Sequence, residues 1–258
     1  MPLPLFRKIV DECAMHGGQV REFYPFLNGE LFLTPGWEDY LDYARRKLPR
    51  ARLAVFTNGS LLNRANADAL LEIGPDALNI SFDGVSKEVY ESIRLGLKFE
   101  EVEENITAFA ASRAARGAKR PELSISVIEM QSTASGIPAF VEKWGGVADK
   151  VSVEPYNTWA GAVADRGPAR AERRRVPCPR LWYNLTVLNS GKVALCCLDY
   201  EGKVELGDLN TSSIEDIWRG AGLEEFRRLH ESGLYERSGL CRDCDYGRYQ
   251  AETPFWWR

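Results

Sequence analysis

Helix-like and strand-like segments alternate along residues 5–155, and this alternation most constrains how the chain can fold. Predicted helices cover the first apolar stretch, which ends at Gly17-Gly18, and Trp37–Leu48, Asn63–Ile73, Lys87–Ile93, Phe99–Arg116 and Ile137–Gly145. Between them lie five predicted strands: Val20–Leu27, Arg52–Phe56, Ala77–Phe82, Leu123–Met130 and Lys150–Glu154. Strands that alternate with helices form βαβ units with parallel strands. The pattern therefore predicts an α/β fold with a parallel sheet.

Polar residues follow three of the predicted strands. These exits read Asn28-Gly29-Glu30, Thr57-Asn58-Gly59 and Ser81-Phe82-Asp83. Asn-Gly and Asp-Gly are also common turn dipeptides, so each exit alone is a weak signal. In parallel sheets and barrels, the carboxyl ends of the strands lie at one edge and build the site. Three polar exits in succession predict a site at that edge.

The pattern changes after residue 155. Residues 156–175 are rich in Gly and Ala and then charged, which predicts a linker, with the basic run at 170–175 as a solvated stretch. Two short predicted strands, Asn184–Leu188 and Lys192–Leu195, flank a turn and form a β-hairpin. We therefore expect a barrel-like domain over 1–155, the linker, and a small α+β domain over 176–258 that ends in an aromatic tail.

The six cysteines include one set with the spacing of a metal centre. Cys178 precedes the predicted hairpin, Cys196 ends it, and Cys241 and Cys244 form a C-x2-C turn. Four sulfur ligands suit zinc or an iron–sulfur cluster, and spacing alone does not separate the two. Cys197 is an alternative to Cys196, which we prefer because it lies at the end of the strand. The remaining cysteine falls on the apolar face of the first helix and is predicted to be core.

Composition narrows the class of partner. The formal net charge is −4, so the chain lacks the overall basic character of a nucleic-acid-binding protein. No apolar run approaches the ~20 residues needed to span a bilayer, and the start of the chain does not have the pattern of a signal peptide. We expect a cytoplasmic protein without nucleic-acid or membrane partners, in which cysteines more often bind metal than form disulfides.

The cysteine pattern Cys178-x12-Gly191-x4-Cys196 resembles the opening motif of the SPASM and twitch auxiliary domains of radical SAM enzymes. The stretch Leu206–Gly220 is also similar to the segment between the two cysteine pairs in that family. The arrangement resembles that of 2-deoxy-scyllo-inosamine dehydrogenases and anaerobic sulfatase-maturating enzymes. The resemblance implies one auxiliary [4Fe-4S] cluster held by four cysteines, as in the smaller twitch type.

The first part of the chain carries further resemblances to the radical SAM family. Asn28-Gly29-Glu30 resembles a variant of the GGEP loop, which binds the amino group of S-adenosylmethionine. Ser81-Phe82-Asp83-Gly84 resembles the S-x-D-G segment near the ribose. Arg94 ends an element like the one whose arginine meets the methionine carboxylate, and an Arg fork suits a carboxylate. The resemblance therefore implies S-adenosylmethionine as a cofactor near Asn28, Gly29, Glu30, Ser81, Asp83 and Arg94.

One family motif is absent from the sequence. Radical SAM enzymes bind a second cluster with CxxxCxxC after their first strand, and the 258 residues contain no such spacing. The chain also opens in what resembles the helix after that strand, so we expect a partial (β/α)6 barrel without its first strand. Either the motif lies upstream in a longer protein, which we favour, or the chain is a degenerate relative that keeps only the auxiliary cluster.

Two functions follow from these resemblances. The first is a radical SAM family oxidoreductase, in which the auxiliary cluster accepts an electron during oxidation of a sugar, a cyclitol or a peptide substrate. It would need an electron donor such as flavodoxin or ferredoxin. The alternative is a non-catalytic binding module with a structural zinc or iron–sulfur site held by the four cysteines. The sequence identifies no general base.

Overall fold

The computed structural model of the 258-residue chain describes residues 1–171 and 175–246. Contacts divide these residues into two compact units. The α/β unit comprises Ala14–Pro155, and the C-terminal unit comprises Met1–Cys13 together with the described residues from Tyr156 onward. The predicted aromatic tail at 255–257 and part of the predicted linker, 172–174, lie outside the described residues.

The helices are α1 (Leu3–Met15), α2 (Trp37–Lys47), α3 (Arg64–Ile73), α4 (Lys87–Ile93), α5 (Phe99–Ala115), α6 (Ile137–Gly145), α7 (Ile214–Trp218), α8 (Ala221–Glu231) and α9 (Gly239–Arg242). The strands are β1 (Glu22–Phe23), β2 (Arg52–Thr57), β3 (Ala77–Ser81), β4 (Glu122–Glu129), β5 (Lys150–Pro155), β6 (Thr186–Val187), β7 (Lys192–Ala194) and β8 (Glu205–Asp208). In the part of the chain that the structure describes, no helix combines the length and apolar character needed to cross a membrane.

The α/β unit contains a five-stranded sheet in the order β1-β2-β3-β4-β5. Every neighbouring pair is parallel, which confirms the predicted fold of a partial barrel built from βαβ units. The first strand is shorter than predicted: Val20–Leu27 yields only Glu22–Phe23 in the ladder. Pro25 has no backbone N–H to donate and lies within the predicted strand, which explains the early end.

Capping residues that can be recognised in the sequence mark the start and the end of α3. The Asn63 side chain caps α3 by accepting from the backbone N–H of Asn66. Gly74 closes the same helix in the left-handed conformation, with φ of 63°, which favours glycine. Between the helices and the sheet, Phe82 is fully buried against the rings of Tyr90, Phe99 and Trp144 at 5.0–5.5 Å.

The C-terminal unit holds a three-stranded antiparallel sheet in the order β6-β7-β8. The predicted hairpin is present as β6 and β7, and β8 is an additional strand. The first helix packs on this sheet, because Ile9 is buried in one cluster with Val193 and Leu209. By these contacts Met1–Cys13 groups with the C-terminal unit, whereas the sequence pattern predicts this helix within the barrel-like domain over residues 1–155.

Candidate functional site

The first two polar strand exits are joined through Glu30. Its carboxylate accepts a hydrogen bond from the Thr57 hydroxyl at 2.7 Å and one from the Asn58 backbone N–H at 2.8 Å. The Thr57 hydroxyl oxygen in turn accepts from the Gly59 N–H at 3.0 Å. The Asn28-Gly29-Glu30 loop is thereby held against the carboxyl end of β2, at the edge where parallel sheets build their sites.

The third strand exit forms a buried ion pair. Asp83 follows β3 with a left-handed φ of 55°. One of its oxygens accepts from the Ile128 N–H at 2.7 Å, and the other pairs with the guanidinium of Arg94 at 2.6 Å. The Asp83 side chain is 2% exposed and that of Arg94 is 27% exposed. The structure therefore brings two of the predicted site residues, Asp83 and Arg94, into direct contact.

A row of hydroxyl groups lies on one face of the sheet and was not predicted from the sequence. Parallel registration places Ser81, Ser126 and Ser152 side by side on β3, β4 and β5. Alternation along each strand puts them on the face opposite the apolar side chains, such as Ile80 and Ile125, that enter the helix-covered core. The alternation of serine with branched apolar residues in β4 was the available signal.

Glu154 lies on the same face, two residues beyond Ser152 toward the carboxyl end of β5. Burial, the largest influence, raises the pKa of its carboxyl group above the ordinary value, and the hydroxyl of Ser152 acts in the opposite direction. This polar face, defined as Ser81, Ser126, Ser152 and Glu154, offers hydroxyl groups and one carboxyl group at a single sheet surface.

In the C-terminal unit the four predicted thiols come from three separate elements. Cys178 precedes a short 3-10 turn at Pro179–Trp182, and Cys196 follows β7. Cys241 lies in α9, where the Ser238 hydroxyl caps its N–H at 3.3 Å. The Cys244 N–H donates to the Cys241 carbonyl at 3.2 Å, which closes the C-x2-C turn.

The pKa values of the Cys178 and Cys196 thiols are raised above the ordinary value for cysteine. Burial, followed by smaller contributions from charge on Cys244 and Cys241, raises the pKa of the Cys178 thiol to about 11. Burial also raises the pKa of Cys196, and charge on Cys197 and Cys244 acts in the same direction. Among the described residues, no group of three His, Cys, Asp or Glu side chains is arranged to hold a metal ion. Within the described residues, these thiols therefore do not form a complete set of metal ligands.

The adjacent cysteines, Cys196 and Cys197, have different surroundings. The Cys197 sulfur accepts from a guanidinium nitrogen of Arg180 at 2.7 Å. That guanidinium is buried and lies 4.5 Å from the centroid of the Tyr246 ring. For Cys196, burial is the largest influence on the pKa, and the charges that act on it include those of Cys197 and Cys244. Soft sulfur donors, a C-x2-C turn and burial fit an iron–sulfur cluster or zinc in chemical terms.

Comparison with known families agrees with both halves of this description. Residues 6–114 match the radical SAM superfamily, and residues 178–245 match SPASM, an iron-sulfur cluster-binding domain. These matches confirm the predicted resemblance of the first segment to the radical SAM superfamily and of the second segment to a SPASM-type auxiliary domain. The iron–sulfur class of cofactor expected from the sequence is also supported by the SPASM match.

Individual relatives are more distant. The chain is 21% identical over 229 residues to the S-adenosyl-L-methionine-dependent 2-deoxy-scyllo-inosamine dehydrogenase of Niallia circulans, covering 88% of this chain and 74% of that protein. The crystal structure of BtrN in complex with AdoMet and 2-DOIA has a TM-score of 0.63 at 18% identity, covering 99% of this chain and 84% of the other. Streptococcus suis SuiB bound to precursor peptide SuiA has a TM-score of 0.63 at 11% identity, covering 94% and 65%. At 18% and 11% sequence identity, the likeness to these two solved structures shows the fold alone.

Proposed function

We propose that this chain contributes to an oxidoreductase-type activity of the radical SAM family by holding one auxiliary [4Fe-4S] cluster on Cys178, Cys196, Cys241 and Cys244. The observation that carries this proposal is that all four cysteines lie within residues 178–245, the segment that matches SPASM, an iron-sulfur cluster-binding domain. When bound, such a cluster supplies one-electron transfer. Engagement of Cys197 by Arg180 supports Cys196 as the ligand of the adjacent pair.

For S-adenosylmethionine we propose Asn28, Gly29, Glu30, Ser81, Asp83 and Arg94 as the binding residues. The hydrogen bonds of Glu30 support this assignment, because they hold the first loop at the carboxyl edge of the sheet. Arg94 presents a guanidinium that suits a carboxylate, and its present partner is the carboxylate of Asp83. Binding of the methionine carboxylate would therefore compete with this ion pair or share the guanidinium with it.

The proposed substrate is a polyhydroxylated small molecule, such as a sugar or cyclitol, that binds at the polar face. Hydroxyl groups on three neighbouring strands and the raised pKa of the Glu154 carboxyl support this class, because they provide both donors and acceptors. We assign to Glu154 the task of accepting a proton from a substrate hydroxyl. The relative that acts on 2-deoxy-scyllo-inosamine supports the same class. A peptide is the alternative, supported by the likeness to SuiB.

The proposed partners follow from this chemistry. Reductive cleavage of S-adenosylmethionine requires a one-electron donor, for which flavodoxin or ferredoxin is suited, whereas the auxiliary cluster would take its electron from the substrate. The net charge of −4 supports the absence of a nucleic-acid partner. We also propose a cytoplasmic location, where cysteines stay reduced and available as metal ligands.

Anaerobic reconstitution with iron and sulfide tests the cluster. The wild-type chain is expected to turn brown and bind about four irons, and serine substitution of Cys178, Cys196, Cys241 or Cys244 should lower the iron content sharply. Cys13→Ser and Cys197→Ser are matched controls and should load normally. A colourless wild-type protein with one zinc would contradict the proposal and favour the structural zinc module.

The non-catalytic module is the second candidate, favoured by the lack of a CxxxCxxC spacing in the 258 residues. Formation of 5′-deoxyadenosine under a strong reductant separates this chain from an active radical SAM enzyme. We expect none from the 258-residue chain, because no cysteine set remains for a second cluster. Appreciable product would show that another group cleaves S-adenosylmethionine.

The polar face is tested by binding of 2-deoxy-scyllo-inosamine, measured calorimetrically on the wild type and on Glu154→Gln. Glu154→Gln keeps the size of the side chain and removes its charge, so we expect binding to weaken by about tenfold, as for loss of one charged hydrogen bond. Val153→Thr, on the other face of β5 where the side chain is exposed, is the control and should bind normally. Equal binding by Glu154→Gln would exclude Glu154 from the site.

A further inference from the structure

His230 lies directly behind Cys178. Its Nδ1 accepts a hydrogen bond from the Cys178 backbone N–H at 3.0 Å, and its side chain is buried in α8. Because Nδ1 is the acceptor, the neutral ring carries its proton on Nε2. The ring therefore fixes the backbone of one proposed cluster ligand.

A second contact connects this ring to the C-x2-C turn. The His230 and Tyr235 rings meet edge to face, with centroids 5.0 Å apart. The guanidinium of Arg175 lies 4.9 Å from the centroid of the same Tyr235 ring. His230, Tyr235 and Arg175 thus form one continuous packed series, named here the His–Tyr–Arg stack.

Arg175 completes the connection through the main chain of the turn. Its guanidinium donates to the Cys241 carbonyl, to the Arg242 carbonyl at 3.1 Å and to the Cys244 carbonyl at 3.4 Å. Arg175 also lies three residues before Cys178 in the chain. The stack therefore contacts the backbone of Cys178 at one end and the backbone of the C-x2-C turn at the other.

We propose that the His–Tyr–Arg stack is a positioning unit that sets the separation between Cys178 and the Cys241/Cys244 pair. Metal sites tolerate only small departures from their ligand distances, and groups behind the ligands commonly set ligand orientation. Each end of the stack contacts main-chain atoms of the cysteine-bearing segments. This inference rests on the proposed function, because it concerns the ligands of the proposed cluster.

Simple helix capping explains only part of this arrangement. An arginine that binds the last carbonyls of α9 is a common C-terminal cap. Capping does not account for the acceptor that His230 presents to the Cys178 N–H, or for the ring that joins the two contacts. The two interpretations predict different effects for substitutions at His230, which lies outside α9.

The test compares reconstituted full-length variants by the rate at which an iron chelator removes iron, and by the electron paramagnetic resonance spectrum of the reduced cluster. His230→Leu and Arg175→Gln should lose iron about 10- to 100-fold faster than the wild type, the usual effect of removing a group behind a metal ligand. His230→Asn, whose side-chain oxygen replaces the Nδ1 acceptor, should restore slow loss. Tyr235→Phe keeps the ring and should match the wild type.

Arg242→Gln is the matched arginine control, since the Arg242 side chain is about half exposed and pairs with Asp243 at 3.0 Å. Thermal unfolding of each apo variant separates a failure to fold from a failure to hold iron. If the wild type loads iron and both His230→Leu and Arg175→Gln retain it as the wild type does, the stack has no positioning role although the cluster is real. Equal impairment of His230→Leu and His230→Asn would also overturn the inference, because the hydrogen bond would then be irrelevant. A wild type without iron would overturn the proposed function itself.

Discussion

Asp83→Ala removes a carboxylate that serves two partners at once. The Ile128 N–H, at 2.7 Å from Asp83, loses a charged acceptor, which costs about 1.5 to 3 kcal/mol. Arg94 loses its ion pair, and because its side chain is 27% exposed, this part adds only about 1 kcal/mol. We therefore expect a total loss of about 3 kcal/mol. Asp83→Asn retains an acceptor for Ile128 and should cost less.

Hydrogen exchange measured by mass spectrometry is suited to this prediction, because it reports on the α/β unit alone. Peptides that cover β4, including Ile128, should exchange on the order of a hundredfold faster in Asp83→Ala, since 1.36 kcal/mol corresponds to about a factor of ten. Glu122→Gln is the control in the same strand. Glu122 pairs with Arg52 at 2.7 Å, and both side chains are more than 40% exposed, so less than about 1 kcal/mol is at stake.

Two patterns of hydrogen exchange would contradict the prediction for Asp83→Ala. If Asp83→Ala and Glu122→Gln changed the protection of β4 from exchange equally, the buried Asp83 carboxylate would contribute no more to stability than the exposed Glu122 ion pair. If Asp83→Asn were as damaging as Asp83→Ala, the hydrogen bond to Ile128 would contribute little and the charge would dominate.

Two further predictions concern the same unit. Burial alone would raise the pKa of Asp76, but the N–H of Leu53 at 2.9 Å and the guanidinium of Arg45 at 2.6 Å hold it below its ordinary value. The contribution of the Asp76 carboxylate to stability is therefore present above its ordinary pKa of about 3.9 and is lost as the pH falls below that value. Asp76→Asn should lower the urea midpoint at pH 7, and the midpoint of this variant should decrease less in acid than that of the wild type. Gly59→Ala should cost about 2 to 3 kcal/mol, because φ is 79° and the new Cβ would lie 3.0 Å from a buried valine. Gly74→Ala, with φ of 63° and open space around it, should cost only about 1 to 2 kcal/mol, and urea unfolding checks both.

Periodicity predicted the parallel sheet and the hairpin because both follow from local patterns. Alternation of strand and helix allows few arrangements other than βαβ units, and Asn189-Ser190-Gly191 marks the hairpin turn. The strand β8 (Glu205–Asp208) was not predicted because it is only four residues long and contains Gly207. Its pairing with β7 is also irregular at Val193 and Ala194. Short, polar strands of this kind form when a neighbouring strand offers its edge, which no local pattern encodes.

The residues of the candidate site could be nominated from sequence, but their partners could not. Glu30 bonds to residues 27 and 28 positions away, and Asp83 reaches across to Ile128, 45 positions away. Such contacts depend on strand order and register, which the sequence pattern leaves open. The polar face was missed for the same reason: Ser81, Ser126 and Ser152 form a row only when β3, β4 and β5 are placed in register.

The bonds of Glu30 and Asp83 change how motif-like residues in this chain should be interpreted. A carboxylate at a strand exit can recognise a cofactor, hold the loop in place, or do both. Here Glu30 joins its own loop to the loop after β2 by hydrogen bonds, and Asp83 contacts both β4 and Arg94. Each carboxylate therefore has a structural role that does not depend on a bound ligand. Binding measurements on Glu30→Gln or Asp83→Asn would therefore mix the two tasks. Arg94→Lys is more informative, because it keeps a cation beside Asp83 while removing the planar fork that suits a carboxylate. A loss of S-adenosylmethionine binding in Arg94→Lys, with β4 protection unchanged, would assign the guanidinium to the ligand rather than to the fold.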